Sequence, residues 1–249
     1  MAATTVHPDL VRRLAETRHL VVLTGAGISA ESGVPTFRDA RAGLWSKYRP
    51  EELATVAAFE ADPETVWAWY EWRRDLVGRA TPNSGHLALA RLEALVPRFT
   101  LVTQNVDGLH RRAGSRDPIE FHGSLFDNRC LACGESHDLP RPCPAPRHCP
   151  GCGGWIRPGV VWFGEAIPPF ALERSFAAAG DCDLFMSVGT SAEVYPAAGL
   201  AGMARRGGAT LVEINPNATA LSRHADHVLP LPAGEALPAI CRLLEERRA

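Results

Sequence analysis

Lysine is almost missing from this sequence of 249 residues, which contains one lysine, Lys47, and 25 arginines. The formal net charge is -2 at pH 7. No overall positive field is therefore available to track phosphates, and we expect no nucleic-acid partner. We interpret the excess of arginine over lysine as a coding bias.

Long hydrophobic runs are missing as well. No apolar stretch approaches 18 residues, so no transmembrane helix and no membrane partner are predicted. Residues 1–10 lack a basic segment followed by an apolar core, so a secretory signal is not expected. Together these features predict a cytoplasmic protein.

Nothing in the composition indicates disorder or a disulfide scaffold. Hydrophobic residues make up 46% and charged residues 22% of the chain, which is ordinary for a globular protein that can bury a sizeable core. Seven cysteines are present, an odd number in a chain without a predicted secretory signal. Free thiols or a metal site are therefore expected instead of a set of disulfides.

Short apolar runs that predict buried strands alternate with amphipathic stretches that predict helices. This alternation is typical of a parallel sheet covered by helices on both faces. The predicted fold class is α/β, with a doubly wound, Rossmann-like sheet. The predicted strands are 19–23, 99–103, 184–188, 209–214 and 227–231, and the predicted helices are 8–18, 84–95, 197–206 and 237–247.

Two segments interrupt the alternation. Residues 36–81 have a helical pattern rich in aromatic side chains, and residues 128–157 are rich in cysteine, proline and glycine. We interpret both as insertions that form a smaller lobe within a single domain, 1–249. The expected Rossmann-like lobe covers about 8–36, 82–124 and 160–249, and the expected smaller lobe covers a helical part, about 37–81, and a zinc-ribbon module, about 125–159.

Four cysteines have the spacing of a metal site, because two C-x2-C pairs are separated by fifteen residues. Four thiolates complete a tetrahedral coordination sphere for Zn²⁺ and leave no open position for catalysis. Free thiols and an iron–sulfur cluster are the alternatives. Cys143 lacks a C-x2-C partner, and Cys182 and Cys241 are predicted to be core residues. The predicted zinc ligands are Cys130, Cys133, Cys149 and Cys152.

A glycine-rich turn, Gly25-Ala26-Gly27, follows the first predicted strand. Such a turn lets the backbone approach a pyrophosphate at a helix N-terminus, but by itself it is weak evidence, and a plain tight strand–helix turn is the alternative. Gly33 follows Gly27 by six positions instead of three, so the dehydrogenase fingerprint is not matched. The pattern G-x-x-x-x-G-K-[ST] is missing, which disfavours a nucleoside triphosphatase.

Polar residues follow later strands. Residues 104–107 come directly after the second predicted strand, where α/β folds bind ligands, but Asn105 and Asp107 could equally form a turn. His122 precedes a glycine after a short apolar stretch. It is a candidate general base, although most lone histidines are structural.

Together, these motifs resemble the sirtuin family, in the family's order and from about residue 10 to about residue 245. The resemblance implies an NAD-dependent protein-lysine deacylase with NAD as co-substrate and one structural Zn²⁺. The motifs that carry it are Gly25-Ala26-Gly27-Ile28-Ser29, Phe37-Arg38, Gln104-Asn105-Val106-Asp107, His122-Gly123, the four cysteines, Val161-Trp162-Phe163-Gly164-Glu165, Gly189-Thr190-Ser191 and Asn215-Pro216-Asn217.

The resemblance also implies the role of each residue. Asn105 and Asp107 would hold the ribose and the nicotinamide amide in a cleavable pose, and His122 would be the base that deprotonates the ribose hydroxyls. The products would be lysine, nicotinamide and O-acyl-ADP-ribose. The residues implied to contact NAD are Gly25, Ala26, Gly27, Ser29, Phe37, Arg38, Gln104, Asn105, Val106, Asp107, Gly189, Thr190, Ser191, Asn215, Pro216, Asn217 and, in a proposed adenine-contact loop, Ala236.

The acylated lysine side chain of a protein would be the second substrate. Tyr70 and Arg73 share a helix face, as residues of an ordinary amphipathic helix also do. They resemble, however, the Tyr-x-x-Arg pair of sirtuins that remove succinyl and malonyl groups. An arginine fork and a tyrosine hydroxyl suit an acyl carboxylate, and Ala54 would leave room for the acyl chain.

The backbone of the target protein would be bound separately. The resemblance implies that residues 160–163, including Val161 and Phe163, form an edge strand that pairs with the substrate peptide. Three other functions are considered: a dehydrogenase, a non-catalytic binding module, and a mono-ADP-ribosyltransferase that uses the same NAD site.

Overall fold

A six-stranded parallel sheet forms the centre of the protein, in a computed structural model that describes residues 6–35 and 50–248. The strand order is β3-β2-β1-β6-β7-β8, and a separate antiparallel pair is formed by β4 and β5. The strands are β1 (His19–Thr24), β2 (Arg98–Thr103), β3 (Ile119–Glu120), β4 (Gly123–Cys130), β5 (Ile156–Val160), β6 (Leu184–Val188), β7 (Thr210–Ile214) and β8 (His227–Leu229).

Helices cover the sheet and form most of the helical insertion. A short 3-10 helix, Ala26–Ser32, follows β1. The α-helices are α1 (Pro8–Glu16), α2 (Pro50–Leu53), α3 (Val56–Ala61), α4 (Pro63–Arg79), α5 (Ser84–Leu95), α6 (Leu109–Arg112), α7 (Pro169–Gly180), α8 (Gly199–Arg206) and α9 (Ala233–Glu246).

Strand β1 is buried on both faces, as the apolar run predicts. Leu20 and Val22 belong to one hydrophobic cluster, with residues of α1, α5 and α9. Val21 and Leu23 belong to a second cluster, with residues of α7 and α8. Since successive side chains of a strand point to opposite faces, helices cover both sides of the sheet, and the predicted α/β class is confirmed.

Side-chain caps define where several helices begin. Asp62 accepts a hydrogen bond from the Thr65 amide, and Pro63 occupies the first helical position of α4, where its missing N–H costs nothing. Asn83 and His86 form a reciprocal capping box at the start of α5. These caps fix the starts of α4 and α5.

A third hydrophobic cluster joins the helical insertion to the cysteine-rich segment. It contains Trp67 and Tyr70 of α4 together with Leu125, Cys143 and Trp162. The carboxylate of Glu71 also accepts a hydrogen bond from the Cys143 amide. This shared core supports the proposed smaller lobe.

Two element boundaries differ from the predictions. The last helix begins at Ala233 and not at residue 237, because Pro232 precedes a first turn whose amides bond to its carbonyl. The predicted edge strand 160–163 is wrong beyond Val160, where β5 ends. None of the helices in the described part of the chain is long and apolar enough to cross a membrane.

Candidate active site

Two glycine-containing loops meet at the carboxyl ends of β1 and β6. The Gly25 amide donates to the Val188 carbonyl at 3.0 Å, and the Gly27 amide donates to the Gly189 carbonyl at 2.8 Å. A Cβ at Gly27 would lie 2.7 Å from the Gly189 Cα. These glycines are therefore required for the contact between the loops as well as for any approach of a ligand.

Ser29, Asn105 and Asp107 form a buried hydrogen-bonded cluster beside this turn. The Ser29 hydroxyl donates to Asp107 Oδ2 at 2.7 Å, and Asn105 Nδ2 donates to Ser29 Oγ and to the Gly25 carbonyl, both at 3.1 Å. Asp107 Oδ1 accepts from the Leu109 amide at 2.9 Å. The predicted polar residues after β2 are thus held in place by the residues after β1.

Two histidines extend this cluster, and sequence reasoning assigned them no role. The rings of His86 and His110 lie 4.9 Å apart. His86 Nε2 lies 3.4 Å from Ser29 Oγ, and His110 Nε2 lies 2.9 Å from Thr24 Oγ1. Burial lowers the pKa of His86 to about 4 against the opposing effect of Asp107, and burial and His86 lower the pKa of His110 to about 3. Both rings are therefore neutral near pH 7.

His122 is positioned at the end of β3 by a main-chain contact. Its Nδ1 lies 3.0 Å from the Gln104 carbonyl oxygen. Because a carbonyl only accepts, Nδ1 carries the proton in the neutral ring and Nε2 carries the lone pair. Burial lowers the pKa of His122, while the Gln104 carbonyl raises it. Gly123 has a φ of 74°, and a Cβ there would lie 2.1 Å from the Gly159 oxygen.

The loops after β6 and β7 bring a second group of predicted residues together. Asn215 Nδ2 donates to the Thr190 carbonyl at 3.0 Å, and Asn215 Oδ1 accepts from the Asn217 amide at 3.1 Å. Thr190 is buried, whereas Ser191 is exposed. These loops lie beside the glycine turn because β6 pairs with both β1 and β7.

Tyr70 and Arg73 lie together on α4, as their spacing predicts. Tyr70 is buried, and its hydroxyl accepts a hydrogen bond from the Trp162 indole at 2.7 Å. The Arg73 guanidinium lies 4.8 Å from the Trp69 ring centroid and 5.6 Å from that of Tyr70. Burial lowers the pKa of Arg73, while Tyr70 and Asp107 raise it. The electrostatic effect of Asp107 connects the pair to the buried cluster.

The segment after β5 is bonded to other parts of the chain. The Val161 amide donates to the His122 carbonyl at 2.8 Å, and the Phe163 amide donates to the Ala54 carbonyl at 2.9 Å. Val161 thus bonds to the residue next to β4, whereas Phe163 bonds to the helical insertion, away from the β4–β5 ladder. These bonds bring Val161, Phe163 and Ala54 to the histidine and to the helical insertion. Phe163 is half exposed, whereas Ala54 is buried.

The four predicted zinc ligands lie together. Cys130 Sγ is 3.4 Å from Cys152 Sγ, Cys133 Sγ is 3.8 Å from Cys149 Sγ, and all four sulfur atoms lie within 4.8 Å of one another. Tetrahedral zinc–thiolate bonds of about 2.3 Å require sulfur atoms about 3.8 Å apart. The geometry and the ligand set therefore fit one structural Zn²⁺, and Cys143 is not part of the cluster.

Three predicted NAD contacts are not placed at the site. Phe37 and Arg38 lie outside the described residues. Gly234 and Ala236 belong to the first turn of α9 instead of to a loop, and their contact with adenine stays a prediction. Ala236 is fully buried in the hydrophobic cluster on that face of the sheet, and its amide donates to the Pro232 carbonyl. Its side chain therefore packs in the core.

Comparisons with known proteins agree with this arrangement. The model of the Sir2 family matches residues 25–196. The chain belongs to the Sir2 family. The NAD-dependent protein deacylase of Methylococcus capsulatus is 50% identical over 249 residues, with 96% of this chain and 98% of the relative covered. NAD-dependent protein deacylase 1 of Pseudomonas aeruginosa is 51% identical over 242 residues, with coverages of 94% and 97%.

A solved structure shares the fold of this sirtuin over its whole length. The crystal structure of a Sir2 homolog–NAD complex matches with a TM-score of 0.93 at 45% identity, covering 100% of this chain and 98% of that one. The predicted resemblance to sirtuins is thus confirmed. The crevice at the carboxyl ends of β1, β2, β6 and β7 has a glycine turn, a buried carboxylate and amide groups, which suit the phosphates and ribose hydroxyls of NAD.

Proposed function

We propose that this sirtuin is an NAD-dependent protein-lysine deacylase that favours acidic acyl groups such as succinyl and malonyl. The observation that carries the deacylase activity is the placement of His122 beside Gln104, next to the buried cluster of Asn105 and Asp107. Family membership and the names of the relatives support the use of NAD and of acylated lysine. Free thiols and a thiolate metal site suit a reducing compartment, and we propose the cytoplasm.

The residues after β2 position the co-substrate. NAD supplies a ribose carbon that becomes electrophilic as nicotinamide departs. Asn105 and Asp107 orient the ribose and the nicotinamide amide, and Ser29 keeps the Asp107 carboxylate in place through its hydroxyl. Thr190 and Asn215 contact the adenosine half across the crevice. Phe37 and Arg38 remain proposed contacts from the sequence motif.

His122 acts as the base. Its Nδ1 proton is held by the Gln104 carbonyl, so Nε2 accepts the proton of a ribose hydroxyl. The acyl oxygen of the lysine amide bonds to the ribose carbon as nicotinamide leaves, and the deprotonated ribose hydroxyl then attacks the acyl carbon. The lysine amine leaves, and one water molecule adds to the acyl carbon to complete O-acyl-ADP-ribose. The substrate peptide would bind beside Val161 and Phe163, which lie next to His122 and to the helical insertion.

Mass spectrometry of the products tests the activity. A mixture of the protein, NAD and a succinylated peptide should give free lysine peptide, nicotinamide and O-succinyl-ADP-ribose in equal amounts. Protein or peptide that carries ADP-ribose, with the acyl group still on the lysine, would establish mono-ADP-ribosyl transfer instead. The same mixture without NAD is the control.

Tyr70 and Arg73 support the acidic preference. An acyl carboxylate that enters this apolar lobe leaves water, which is costly unless the charge is paired. The Arg73 guanidinium supplies a planar fork, and the Tyr70 hydroxyl supplies another donor. Ala54 is the small residue beside Phe163 that leaves space for a chain longer than acetyl.

Replacement of Arg73 by methionine separates the two acyl classes. Arg73→Met should lower kcat/KM on succinyl-lysine roughly 100-fold or more, because the carboxylate loses its cation. Acetyl-lysine carries no such charge, so its kcat/KM should change little. Arg79→Met, on the exposed face of the same helix, is the matched control. Equal loss on both peptides would assign Arg73 a structural role and refute the acidic preference.

A further inference from the structure

Trp162 makes a contact that the proposed function does not use. Its indole N–H donates to the Tyr70 hydroxyl oxygen at 2.7 Å, and both side chains are buried. We propose that Trp162 is a specificity-determining residue, which positions the Tyr70 hydroxyl as a donor to the carboxylate of an acidic acyl group. This rests on the proposed function, since it needs an acyl carboxylate beside Tyr70 and Arg73.

The groups around the Tyr70 hydroxyl determine which group can accept its proton in a hydrogen bond. A phenol has one proton to donate, and its oxygen can accept. The Trp162 indole bonds to the hydroxyl, and the Arg73 guanidinium lies 5.6 Å from the Tyr70 ring centroid. Both groups are donors without acceptor capacity. Neither neighbour can accept the Tyr70 proton. A carboxylate, which only accepts, completes this arrangement, whereas an acetyl methyl group does not.

Trp162 is itself held from several sides. The Arg157 guanidinium lies 3.3 Å from its ring centroid, and Phe59 lies 5.4 Å away. Glu165 accepts a hydrogen bond from the Trp162 amide at 2.7 Å and forms an ion pair with Arg157. Arg157 belongs to β5 and is almost fully buried. The indole therefore has a fixed orientation before substrate binds.

Donors that are already ordered favour a carboxylate, because their conformational entropy is lost when the protein folds and not when the substrate binds. Removal of the indole N–H leaves the Tyr70 hydroxyl free to rotate and to lose its alignment with the acyl chain. One hydrogen bond to a charged group corresponds to about a tenfold effect or more. The loss should fall on acidic acyl groups alone.

Steady-state kinetics on matched succinyl and acetyl peptides test this role. Trp162→Phe should lower kcat/KM on succinyl-lysine about tenfold and change acetyl-lysine less than about twofold. In the Tyr70→Phe background, Trp162→Phe should add little, because the hydroxyl it positions is already gone. Additive losses in the two variants would overturn the inference.

Trp67→Phe is the matched control. Trp67 is also a buried tryptophan of this lobe whose indole donates to a carbonyl, that of Cys143, at 2.7 Å. This variant should leave the ratio of succinyl to acetyl kcat/KM unchanged. A similar change of the ratio in Trp67→Phe would mean that any weakening of the lobe alters specificity, which would overturn the role of Trp162.

A second replacement guards against misfolding. The isosteric 3-benzothienylalanine at position 162 keeps the ring shape and removes only the N–H, so it should reproduce the selective loss. Wild-type selectivity in this protein would overturn the inference.

The proposed function fails separately: wild-type protein without a succinyl preference, or equal losses in Arg73→Met, would refute the acidic specificity and this inference with it. A selective Arg73→Met beside a non-selective Trp162→Phe would refute this inference alone.

Discussion

The Nδ1 of His122 is bonded to a main-chain carbonyl, and this contact decides how the residue titrates. Burial lowers the pKa of His122 from its ordinary value near 6.5, and the Gln104 carbonyl opposes part of this effect. A base must be neutral to accept a proton, and a lowered pKa keeps it neutral to a lower pH. The acid limb of activity should therefore lie below pH 6.5.

The pH dependence of kcat/KM measures this limb. We expect activity to fall only as the pH decreases through a value below 6.5. His122→Ala should lower deacylation by roughly 100-fold to 10⁴-fold while NAD affinity changes little, because the base acts after binding. His224→Ala, at an exposed position, is the control. Wild-type turnover in His122→Ala would contradict the role of the base.

Local patterns in the sequence predict side chains that follow strands, but not their long-range partners. Asn105, Asp107 and His122 could be singled out because each comes directly after a short apolar run. His86 and His110 were missed because their contacts to Ser29 and Thr24 join segments 57 and 86 residues apart. The bond from Trp162 to Tyr70 spans 92 residues, and no periodicity reveals it.

Strands β4 and β5 carry the metal site. Cys130 pairs with Ile156 in this ladder, and Cys149 and Cys152 lie in the loop between the two strands. The hydrophobic cluster around these cysteines is small. A metal ion held by the four thiolates would therefore supply stability that a larger hydrophobic core would otherwise give. Stability of this element should therefore depend on the metal.

Metal analysis and thermal unfolding check this dependence. Purified protein should contain one zinc per chain, and Cys130→Ala or Cys152→Ala should lower both the zinc content and the Tm. Cys182→Ala removes a buried thiol from the other part of the molecule and should keep the zinc. An active, zinc-free protein with an unchanged Tm would show that the cluster is not a structural metal site.

Most strands and helices of the parallel-sheet part could be predicted from the sequence, whereas the antiparallel pair β4–β5 and the start of α9 could not. Strand β6 and helix α5 have the predicted bounds, because a fully buried strand and a capped amphipathic helix leave clear patterns. Strands β4 and β5 were missed because their register is interrupted and proline and glycine occur in β5. The start of α9 was missed because Gly234 normally disfavours a helix.

The stability of the whole molecule should depend on pH through two of its buried histidines, His86 and His110. In the unfolded chain His86 and His110 bind protons near pH 6.5. In the folded chain burial lowers their pKa values to about 4 and about 3. The unfolded state thus binds more protons between these values, so stability is full above pH 6.5 and decreases as the pH falls toward 4.

Chemical denaturation at several pH values measures this effect. Each histidine should lower the free energy of unfolding by up to about 1.4 kcal/mol per pH unit within that window. His110→Gln should flatten the profile, even if the variant is less stable at pH 7. An equally steep profile in His110→Gln and wild type would show that other groups cause the acid sensitivity.

The contact between Glu31 and Gly234 joins a residue that is synthesised early to one that is synthesised late. Glu31 follows the glycine turn, and the Gly234 amide donates a hydrogen bond of 2.8 Å to its carboxylate across 203 residues of chain. A ribosome that adds about 5–20 residues per second makes the partner roughly 10 to 40 s after Glu31. We therefore expect the glycine turn to stay without this contact during translation until α9 has been synthesised. A nascent chain stalled before residue 233 should hold a folded zinc module but a poorly formed NAD site.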